Sequence, residues 1–267
     1  MKKEYNHKRI ALETYCFSSE KITKRLRIHV ISDFHGALDR AEISALTAHI
    51  EKRRPDVILI PGDCVTRRSR KSMTRSLILF KKLCGLAPVY YSPGNHETYM
   101  EQNDAEGNFH KFQKKAEKCG VKILKNRTEK AVICGNALTL YGLELEKKFY
   151  TKPFSASMPA GYLESLFGEP EGEAYHILLA HSPKYGREYL KWGADLTVCG
   201  HYHGGVIRFG RHWGLVSPQF HPFPKFCCGD FRKGASQMVV SAGLGEHSMP
   251  LRICNPRVLV EINVMPA

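Results

Sequence analysis

Seven residues of the types that bind metal ions follow short apolar runs along this chain. They stand in five motifs, which are Asp33-Phe34-His35, Gly62-Asp63, Gly94-Asn95-His96, Ala180-His181 and Gly200-His201-Tyr202-His203. A mixture of carboxylate, amide and imidazole groups suits borderline or hard divalent cations such as Mn²⁺, Fe²⁺ or Zn²⁺. The set is large enough for two such cations, so a dinuclear metal site is the first hypothesis.

Each motif alone also has a purely structural interpretation. An aspartate at a strand end, such as Asp33, often caps a helix. Gly62-Asp63 is a common turn, and a single histidine such as His181 is more often part of a core. The motif at 94–97 is more specific, because Gly-Asn-His after a strand is seldom needed for folding. The motif at 200–205 is also more specific, because two histidines on a Gly-rich turn can face one ion. The occurrence of all five motifs after apolar runs favours the metal site.

The apolar runs before the motifs predict the strands that position them. In the first half, helical patterns alternate with these runs, which predicts a largely parallel sheet. The predicted strands are 26–31, 56–60 and 89–91, and the predicted helices are 38–50, about 69–84 and about 108–118. Ligands bind at the carboxyl ends of the strands in open α/β sheets, so motifs that are distant in sequence can converge there.

The second half of the chain is richer in strand patterns. Residues 131–134 and 137–141 flank Gly135-Asn136, which predicts a hairpin. Further predictions are strands at 175–180, 195–199, 237–241 and 258–262, a hairpin of 206–209 with 215–217, and a short helix near 160–167. Two stacked sheets with outer helices would accommodate these elements. We expect residues 1–25 to be an N-terminal basic arm or edge strand and residues 26–267 to be a single domain.

The order of the motifs resembles that of the calcineurin-like metallophosphoesterases, and the resemblance extends from Leu26 to about Ile262. Several segments resemble those of a bacterial branch related to YkuE-like and UDP-2,3-diacylglucosamine pyrophosphatase-like phosphodiesterases. These segments are 26–36, 179–183, 200–208, 241–245 and 250–256. The resemblance implies an α/β fold, a four-layer α/β/β/α sandwich of two mixed β-sheets flanked by helices, in agreement with the two predicted sheets.

The resemblance also implies a role for each ligand residue. The ligands would divide into Asp33, His35 and His203 on one cation, Asn95, His181 and His201 on the other, and Asp63 between both. His96 would bind no metal and would act as the general acid. In the implied mechanism, a hydroxide that bridges two cations about 3.5–4 Å apart attacks phosphorus. His96 would then protonate the leaving group.

The residues after the bridging aspartate depart from the pattern of some family members. Those members carry an aspartate three residues later that orients the catalytic histidine, and this chain has Thr66 there. Thr66 has no charge, so the support of His96 is expected to differ. Arg67 follows and is a candidate substrate-binding residue that could contact phosphate. A surface arginine in a basic run is an equal alternative.

The formal charge of +14 is concentrated in two parts of the chain. Residues 52–82 contain ten lysines and arginines against two aspartates, and residues 2–27 contain eight more basic residues. Such clustering favours an anionic partner, namely a phosphorylated substrate, an acidic membrane surface or nucleic acid. A solvated helix face is the alternative explanation.

The remaining composition indicates a cytoplasmic protein, with peripheral contact to a membrane as an alternative. No segment approaches the roughly 18 consecutive apolar residues of a transmembrane helix. The N-terminus has no apolar signal-peptide region. Nine cysteines without a C-x-x-C pair fit a reducing compartment.

Three functions follow from these observations. The leading hypothesis is an enzyme that hydrolyses phosphodiester or pyrophosphate bonds, in a lipid-linked or nucleotide substrate, with two divalent ions such as manganese. A nuclease with the same metals is an alternative that the charge supports, although the chain lacks an interleaved aromatic and basic tract. A non-catalytic metal-binding scaffold is the third, and the presence of all seven ligands with His96 argues against it.

Overall fold

Two six-stranded β-sheets pack face to face, and helices cover their outer sides. The computed structural model describes residues 10–67, 69–151, 155–216, 222–246 and 251–267. The strands are β1 Ile10–Ser19, β2 Leu26–Val30, β3 Val57–Pro61, β4 Val89–Ser92, β5 Val121–Ile123, β6 Arg127–Ile133, β7 Asn136–Leu143, β8 Tyr175–Ala180, β9 Leu196–Cys199, β10 Arg208–Phe209, β11 Trp213–Gly214, β12 Gly229–Lys233, β13 Ser236–Val240 and β14 Arg257–Pro266. The helices are α1 Arg40–Arg53, α2 Arg70–Cys84, α3 Asn95–Gln102, α4 Asn108–Lys118, α5 Tyr162–Phe167 and α6 Gly186–Trp192, with 3₁₀ helices at Lys147–Tyr150 and Pro183–Tyr185.

Both sheets have a parallel centre and antiparallel pairs nearer their margins. The first sheet has the order β1-β14-β2-β3-β4-β5, and only β14 and β2 pair antiparallel. The second has the order β12-β13-β9-β8-β7-β6, with antiparallel pairs at β12–β13 and β6–β7. The prediction of two mixed sheets is therefore confirmed. β1 lies at the edge of the first sheet, and the proposed domain boundary at residue 25 stays a prediction.

Three apolar clusters hold the layers together. Val30 and Val198 belong to the cluster that includes residues of both sheets. Ile43 of α1 and Phe80 of α2 pack in the cluster on the outer side of the first sheet, and Trp192 of α6 packs on the outer side of the second. The resulting order of helix, sheet, sheet and helix is the predicted four-layer sandwich.

Side-chain caps decide where the two helices after the first ligand loops begin. The Asp39 carboxylate accepts a hydrogen bond from the Glu42 N–H at 2.9 Å, so α1 begins at Arg40 rather than at residue 38. The Ser69 hydroxyl accepts one from the Ser72 N–H at 3.1 Å and starts α2. These caps define the ends of the loops that follow β2 and β3.

Several short elements were not predicted. Among them, α3 buries only Glu97 and Thr98, so its sequence has no apolar period. A hairpin forms in the predicted region, with β10 inside the predicted strand 206–209, but the prediction of 215–217 as its second strand was wrong because β11 is at Trp213–Gly214. Some of the predictions lie outside the described residues, namely those on residues 1–9, Arg68 and residue 217. The same holds for His221 and His247, which we expect to be structural or surface histidines. No helix in the described part of the chain is long and apolar enough to cross a membrane.

Candidate metal centre

Every ligand-type residue follows the carboxyl end of a parallel strand in the middle of a sheet. The loops after β2, β3 and β4 belong to the first sheet, and those after β8 and β9 belong to the second. They carry, in this order, Asp33 with His35, Asp63, Asn95, His181, and His201 with His203. The ligand-type side chains therefore meet where the ends of the two sheets adjoin.

The side-chain atoms of these residues approach one another closely. His181 Nε2 lies 3.1 Å from Asp63 Oδ2, and His35 Nε2 lies 3.8 Å from the same oxygen. His203 Nε2 lies 3.5 Å from Asp33 Oδ1 and 3.3 Å from His35 Nε2. Carboxylate oxygens and ring nitrogens thus face a shared, largely buried space.

These contacts form three overlapping groups in which the ligand atoms all lie within 4.8 Å of one another. The groups are Asp33 with His35 and His203, Asp63 with His181 and His201, and His35 with Asp63 and His96. The first two groups can each hold one cation, and Asp63 lies within reach of both. This donor set fits divalent ions.

Asn95 supplies a further test of that fit. Its Oδ1 is buried and has no hydrogen-bond partner among the described residues. The neighbouring His96 backbone N–H donates to Asp63 Oδ1 at 3.0 Å, so Asn95 lies beside the second group. A cation there would satisfy an oxygen that the rest of the chain leaves without a partner.

Backbone carbonyls fix the imidazoles of three ligand-type histidines. A carbonyl can only accept, so Nδ1 of each ring carries a proton, and in the neutral ring Nε2 then presents its lone pair to the site. The pairs are His181 Nδ1 with Pro61 O at 2.8 Å, His35 Nδ1 with Val65 O at 3.2 Å and His203 Nδ1 with Gly245 O at 3.3 Å. The rings are therefore oriented for metal binding by the fold itself.

The backbone of the ligand loops is strained. Five of the seven ligand-type residues have left-handed φ values, between 48° and 68°. They are Asp33, His35, Asp63, His201 and His203. This conformation costs roughly 1–2 kcal/mol for an L-residue, and such strain concentrates at functional sites.

Two glycines of the motifs are required by close approaches. A Cβ at Gly94 would lie 2.3 Å from Asp63 Oδ1, and one at Gly200 would lie 2.4 Å from Asp33 Oδ2. Any side chain at either position would displace a carboxylate. The Gly-Asn-His and Gly-His motifs therefore leave room for the carboxylates of neighbouring loops.

Charge is balanced inside the site. Burial raises the pKa of Asp63, but the imidazoles of His181 and His96 outweigh it and hold this pKa well below its usual value. Burial lowers the pKa of His181, but the carboxylates of Asp63 and Asp33 raise it to about 9. A bound cation would take the place of that proton, because metal ligation needs the neutral ring.

His96 lies at the edge of the ligand groups, and a backbone amide holds it. The Arg67 N–H donates to His96 Nδ1 at 3.2 Å, while His96 Nε2 lies 4.0 Å from Asp63 Oδ2. The Thr66 N–H donates instead to the Ser72 hydroxyl at 3.1 Å. His96 is thus oriented by a main-chain donor rather than by a carboxylate. Burial lowers the pKa of His96 to about 4.

The Arg67 side chain lies over α3. Its guanidinium carbon is 4.6 Å from the centre of the Tyr99 ring, in a cation–π contact. The residue is exposed, and its backbone contacts His96. Arg67 is therefore at the rim beside His96, and its contact with phosphate stays a prediction.

Glu97 is a residue of the site for which no role is predicted from the sequence. Its buried carboxylate accepts hydrogen bonds from three backbone N–H groups, those of Asp63 at 2.9 Å, Gly94 at 2.8 Å and Val65 at 3.1 Å. It ties the loop after β3 to the start of α3. A glutamate three residues after Gly94 indicates a helix cap in the sequence. Its hydrogen bonds to the loop after β3 have no such signal in the sequence.

Tyr150 is a second residue that sequence reasoning missed. Its ring centre lies 5.4 Å from that of His201 and 6.2 Å from that of His181. Its hydroxyl is buried and has no hydrogen-bond partner among the described residues. The sequence around it, in a short 3₁₀ helix after two lysines, has no motif that points to a site.

Comparison with known proteins gives a consistent result. The sequence model of the calcineurin-like phosphoesterases matches residues 26–205. The chain is 26% identical over 266 residues to an uncharacterized metallophosphoesterase of Aquifex aeolicus (strain VF5), which covers 96% of this chain and 92% of that protein. It is 30% identical over 88 residues to the uncharacterized metallophosphoesterase YkuE of Bacillus subtilis (strain 168), over 32% of this chain and 30% of YkuE.

Among solved structures, the sulfate thiohydrolase SoxB of Thermus thermophilus superposes with a TM-score of 0.51 at 13% identity, over 82% of this chain and 52% of SoxB. That likeness concerns the fold alone. The sequence match and the grouped ligands together define a metal-dependent phosphoesterase. The chain belongs to the calcineurin-like phosphoesterase family. The predicted family and the predicted hydrolase activity on phosphoesters are confirmed.

Proposed function

We propose that the protein hydrolyses phosphodiester or pyrophosphate bonds at a dinuclear centre. The observation that carries the proposal is the pair of ligand groups that share access to Asp63, with His96 at their edge. The residues proposed to hold the metals are Asp33, His35 and His203 for one ion, Asn95, His181 and His201 for the other, and Asp63 for both. The preference for diesters or pyrophosphates rests on the similarity of the motifs to a phosphodiesterase branch.

Two divalent cations, when bound, would activate water and neutralise charge on the phosphoryl group. The chain itself prepares the site for them. Backbone carbonyls orient the imidazoles. The buried Asn95 Oδ1 has no hydrogen-bond partner among the described residues and is available to a cation. Exclusion of solvent around the buried carboxylates strengthens each electrostatic contact.

His96 is proposed to supply the proton for the leaving group. The Arg67 N–H donates a hydrogen bond to His96 Nδ1. The neutral ring therefore carries its proton on Nε2, on the side of Asp63. A bound phosphate would place negative charge beside the ring and raise its pKa from the value of about 4. The ring could then hold a second proton and pass one to the leaving oxygen.

The substrate proposed is anionic and phosphorylated, either lipid-linked or a nucleotide. Arg67 lies on the rim next to His96, and the net charge of +14 would raise the rate of encounter with an anion. No contact of the described residues favours a nucleic acid over a smaller substrate, so the nuclease remains an outcome of the test below.

The test is hydrolysis by metal-depleted protein reconstituted with Mn²⁺, Fe²⁺ or Zn²⁺. The substrates are bis-p-nitrophenyl phosphate, p-nitrophenyl phosphate, a nucleotide pyrophosphate and single-stranded DNA. We expect the diester or the pyrophosphate to be cleaved fastest. Asp63→Asn should lower both the bound metal and the rate by more than about 100-fold, because even outer-shell changes cost 10–100-fold.

Glu51→Gln, which changes an exposed carboxylate on α1, is the matched control and should behave as the wild type. A faster rate with the monoester would overturn the proposed bond type. Faster cleavage of DNA than of the small diester would support a nuclease instead. Full activity of Asp63→Asn would overturn the proposed metal site.

A further inference from the structure

A small sheet beside the metal centre is built from the segment that follows His203. It contains the hairpin of β10 and β11, extended on both sides by residues of later loops. The connecting bonds are Leu215 N–H to Ile207 O at 2.9 Å, Phe223 N–H to Leu215 O at 2.9 Å, Arg208 N–H to Ile253 O at 3.1 Å and Ile253 N–H to Val206 O at 3.0 Å. Four short segments therefore form one pleated surface.

The side chains on one side of this surface are apolar and exposed. Phe209 and Trp213 are opposite each other in the hairpin, and Ile207 bridges Ile253, so alternation puts their side chains on a common face. The exposed fractions are 63% for Trp213, 61% for Phe223, 53% for Phe209, 45% for Leu251 and 41% for Ile253. We call these five residues the apolar face.

The opposite side of the same surface holds buried arginines. Arg208 is 7% exposed and pairs with Glu13, and Arg252 is 7% exposed. Arg252 donates to Ala242 O at 2.9 Å and also to Gly245 O, the carbonyl that orients His203. A surface strand ordinarily buries its apolar residues and exposes its arginines, so this small sheet has the reverse polarity.

The apolar face is also concentrated relative to the rest of the molecule. Of the eight large hydrophobic residues that are exposed in the described part of the chain, five belong to it. Single exposed hydrophobic residues need no explanation, but a contiguous group of them marks a binding surface. The selective burial of Arg208 and Arg252 shows that this exposure is built into the pairing of the strands.

We propose that the apolar face docks on an anionic phospholipid bilayer. Trp and Phe beside basic residues are the composition of surfaces that insert into the membrane interface. Arg211 at the hairpin turn and Lys225 near Phe223 are exposed, and the whole chain carries +14. Anionic lipids attract such a charge, whereas a second copy of the chain would repel it.

Docking would bring the metal centre to the lipid surface. Leu251 and Ile253 on the apolar face flank Arg252, whose guanidinium lies 3.4 Å from His203 Nδ1. One residue therefore separates the proposed lipid contact from a proposed metal ligand. This placement goes beyond the proposed hydrolysis and is independent of it.

Vesicle binding tests the proposal directly. Full-length protein is sedimented with vesicles of phosphatidylcholine alone or of phosphatidylcholine mixed with phosphatidylglycerol. We expect binding to the anionic vesicles, with a blue shift of tryptophan emission that comes from Trp213, because Trp192 is buried at 5% exposure. Phe209→Ser combined with Trp213→Ser should weaken binding at least tenfold. Val132→Ser, which removes a 76% exposed valine on β6, should not.

The outcomes separate the alternatives. Absence of wild-type binding to anionic vesicles, or equal binding by the double variant, would overturn the proposal. Self-association of the wild type in analytical ultracentrifugation, lost in the double variant and unaffected by lipid, would assign the face to a second copy instead. Quenching of wild-type Trp213 by brominated lipid gives a readout that needs no variant. Hydrolysis of bis-p-nitrophenyl phosphate by the double variant should match the wild type, which distinguishes failed docking from failed catalysis.

Discussion

At the scale of single residues, the proton of His96 is controlled by the main chain. In the neutral ring the Arg67 N–H donates to Nδ1, so the ring proton is on Nε2 and faces the site. The second proton of the acid form must go to Nδ1 and would break this hydrogen bond. A carboxylate partner would instead raise the basicity of the ring. Substitution of the Thr66 side chain should therefore have little effect on activity.

His96→Ala tests the role of this residue as the proton donor. We expect kcat to fall by about 10²- to 10⁴-fold with an alkyl leaving group, the usual contribution of general acid catalysis. The fall should be much smaller with p-nitrophenol, which leaves without protonation. Steady-state rates on both diesters measure the difference, with Thr66→Ala as the control. Loss of one bound metal in His96→Ala would show instead that His96 is a ligand.

Tyr150→Phe tests the buried hydroxyl beside His201 and His181. Because no described residue pairs with this hydroxyl, we expect a bound phosphate or water to do so when the site is loaded. Its removal should lower kcat/KM by about 3- to 10-fold, the value of one hydrogen bond of roughly 1 kcal/mol. The melting temperature and metal content should stay the same or rise, since an unsatisfied buried group is removed.

Tyr162→Phe on α5 is the matched control for Tyr150→Phe and should change neither the rate nor the affinity for inorganic phosphate. A fall in stability without a change in kcat/KM would assign Tyr150 a structural role only.

At the scale of elements, the strands that precede the candidate metal ligands were predictable and some of the supports of the site were not. β3 and β8 are continuous apolar runs, and such runs indicate strands because both faces of a central strand are buried. The ligands after them follow from their motifs. Glu97 and Tyr150 differ, because their partners come from loops that are more than 30 residues away in sequence. No periodic pattern of apolar residues in the sequence indicates such a contact.

The same reasoning explains the apolar face. A hairpin on the surface ordinarily turns its apolar side toward the core, and here that side carries Phe209 and Trp213. The pairing of Arg208 with Glu13 on β1 reverses the hairpin, and this partner is 195 residues away. The face of a short strand that is exposed is thus decided by a contact between residues that are distant in the sequence.

Glu97 is expected to be the strongest structural link between the loops after β3 and β4. Glu97→Ala would leave three buried N–H groups without an acceptor and should lower the free energy of unfolding by about 3 kcal/mol or more. Glu97→Gln keeps one oxygen as an acceptor and should cost about half as much. Urea denaturation measures both. Equal stability of the two variants would contradict this role, and metal affinity should fall in the same order.

At the scale of the whole molecule, the metal centre depends on the packing of the two sheets. Asp63 and Asn95 follow strands of the first sheet, whereas His181 and His201 follow strands of the second. The apolar cluster between the sheets, with Val30 and Val198, holds these ends together. Metal binding should therefore stabilise the folded chain as a whole, since the ligands converge only when both sheets are in place.

Glu261 on β14 links the first sheet to the end of α1, and its charge gives folding a dependence on pH. Hydrogen bonds from Arg53, at 2.6 and 2.8 Å, lower the pKa of Glu261 to about 2. An unfolded glutamate has a pKa of about 4.3, so this stabilisation is complete above that pH and is lost as the pH falls towards 2.

We expect Glu261→Gln to lower the free energy of unfolding by at most about 3 kcal/mol near pH 7, and by progressively less below pH 4. Glu129→Gln, which breaks the exposed pair with Lys122, should cost under about 1 kcal/mol. A difference between Glu261→Gln and the wild type that does not change from pH 7 to pH 3 would show that the ionised carboxylate does not hold α1 to the sheet.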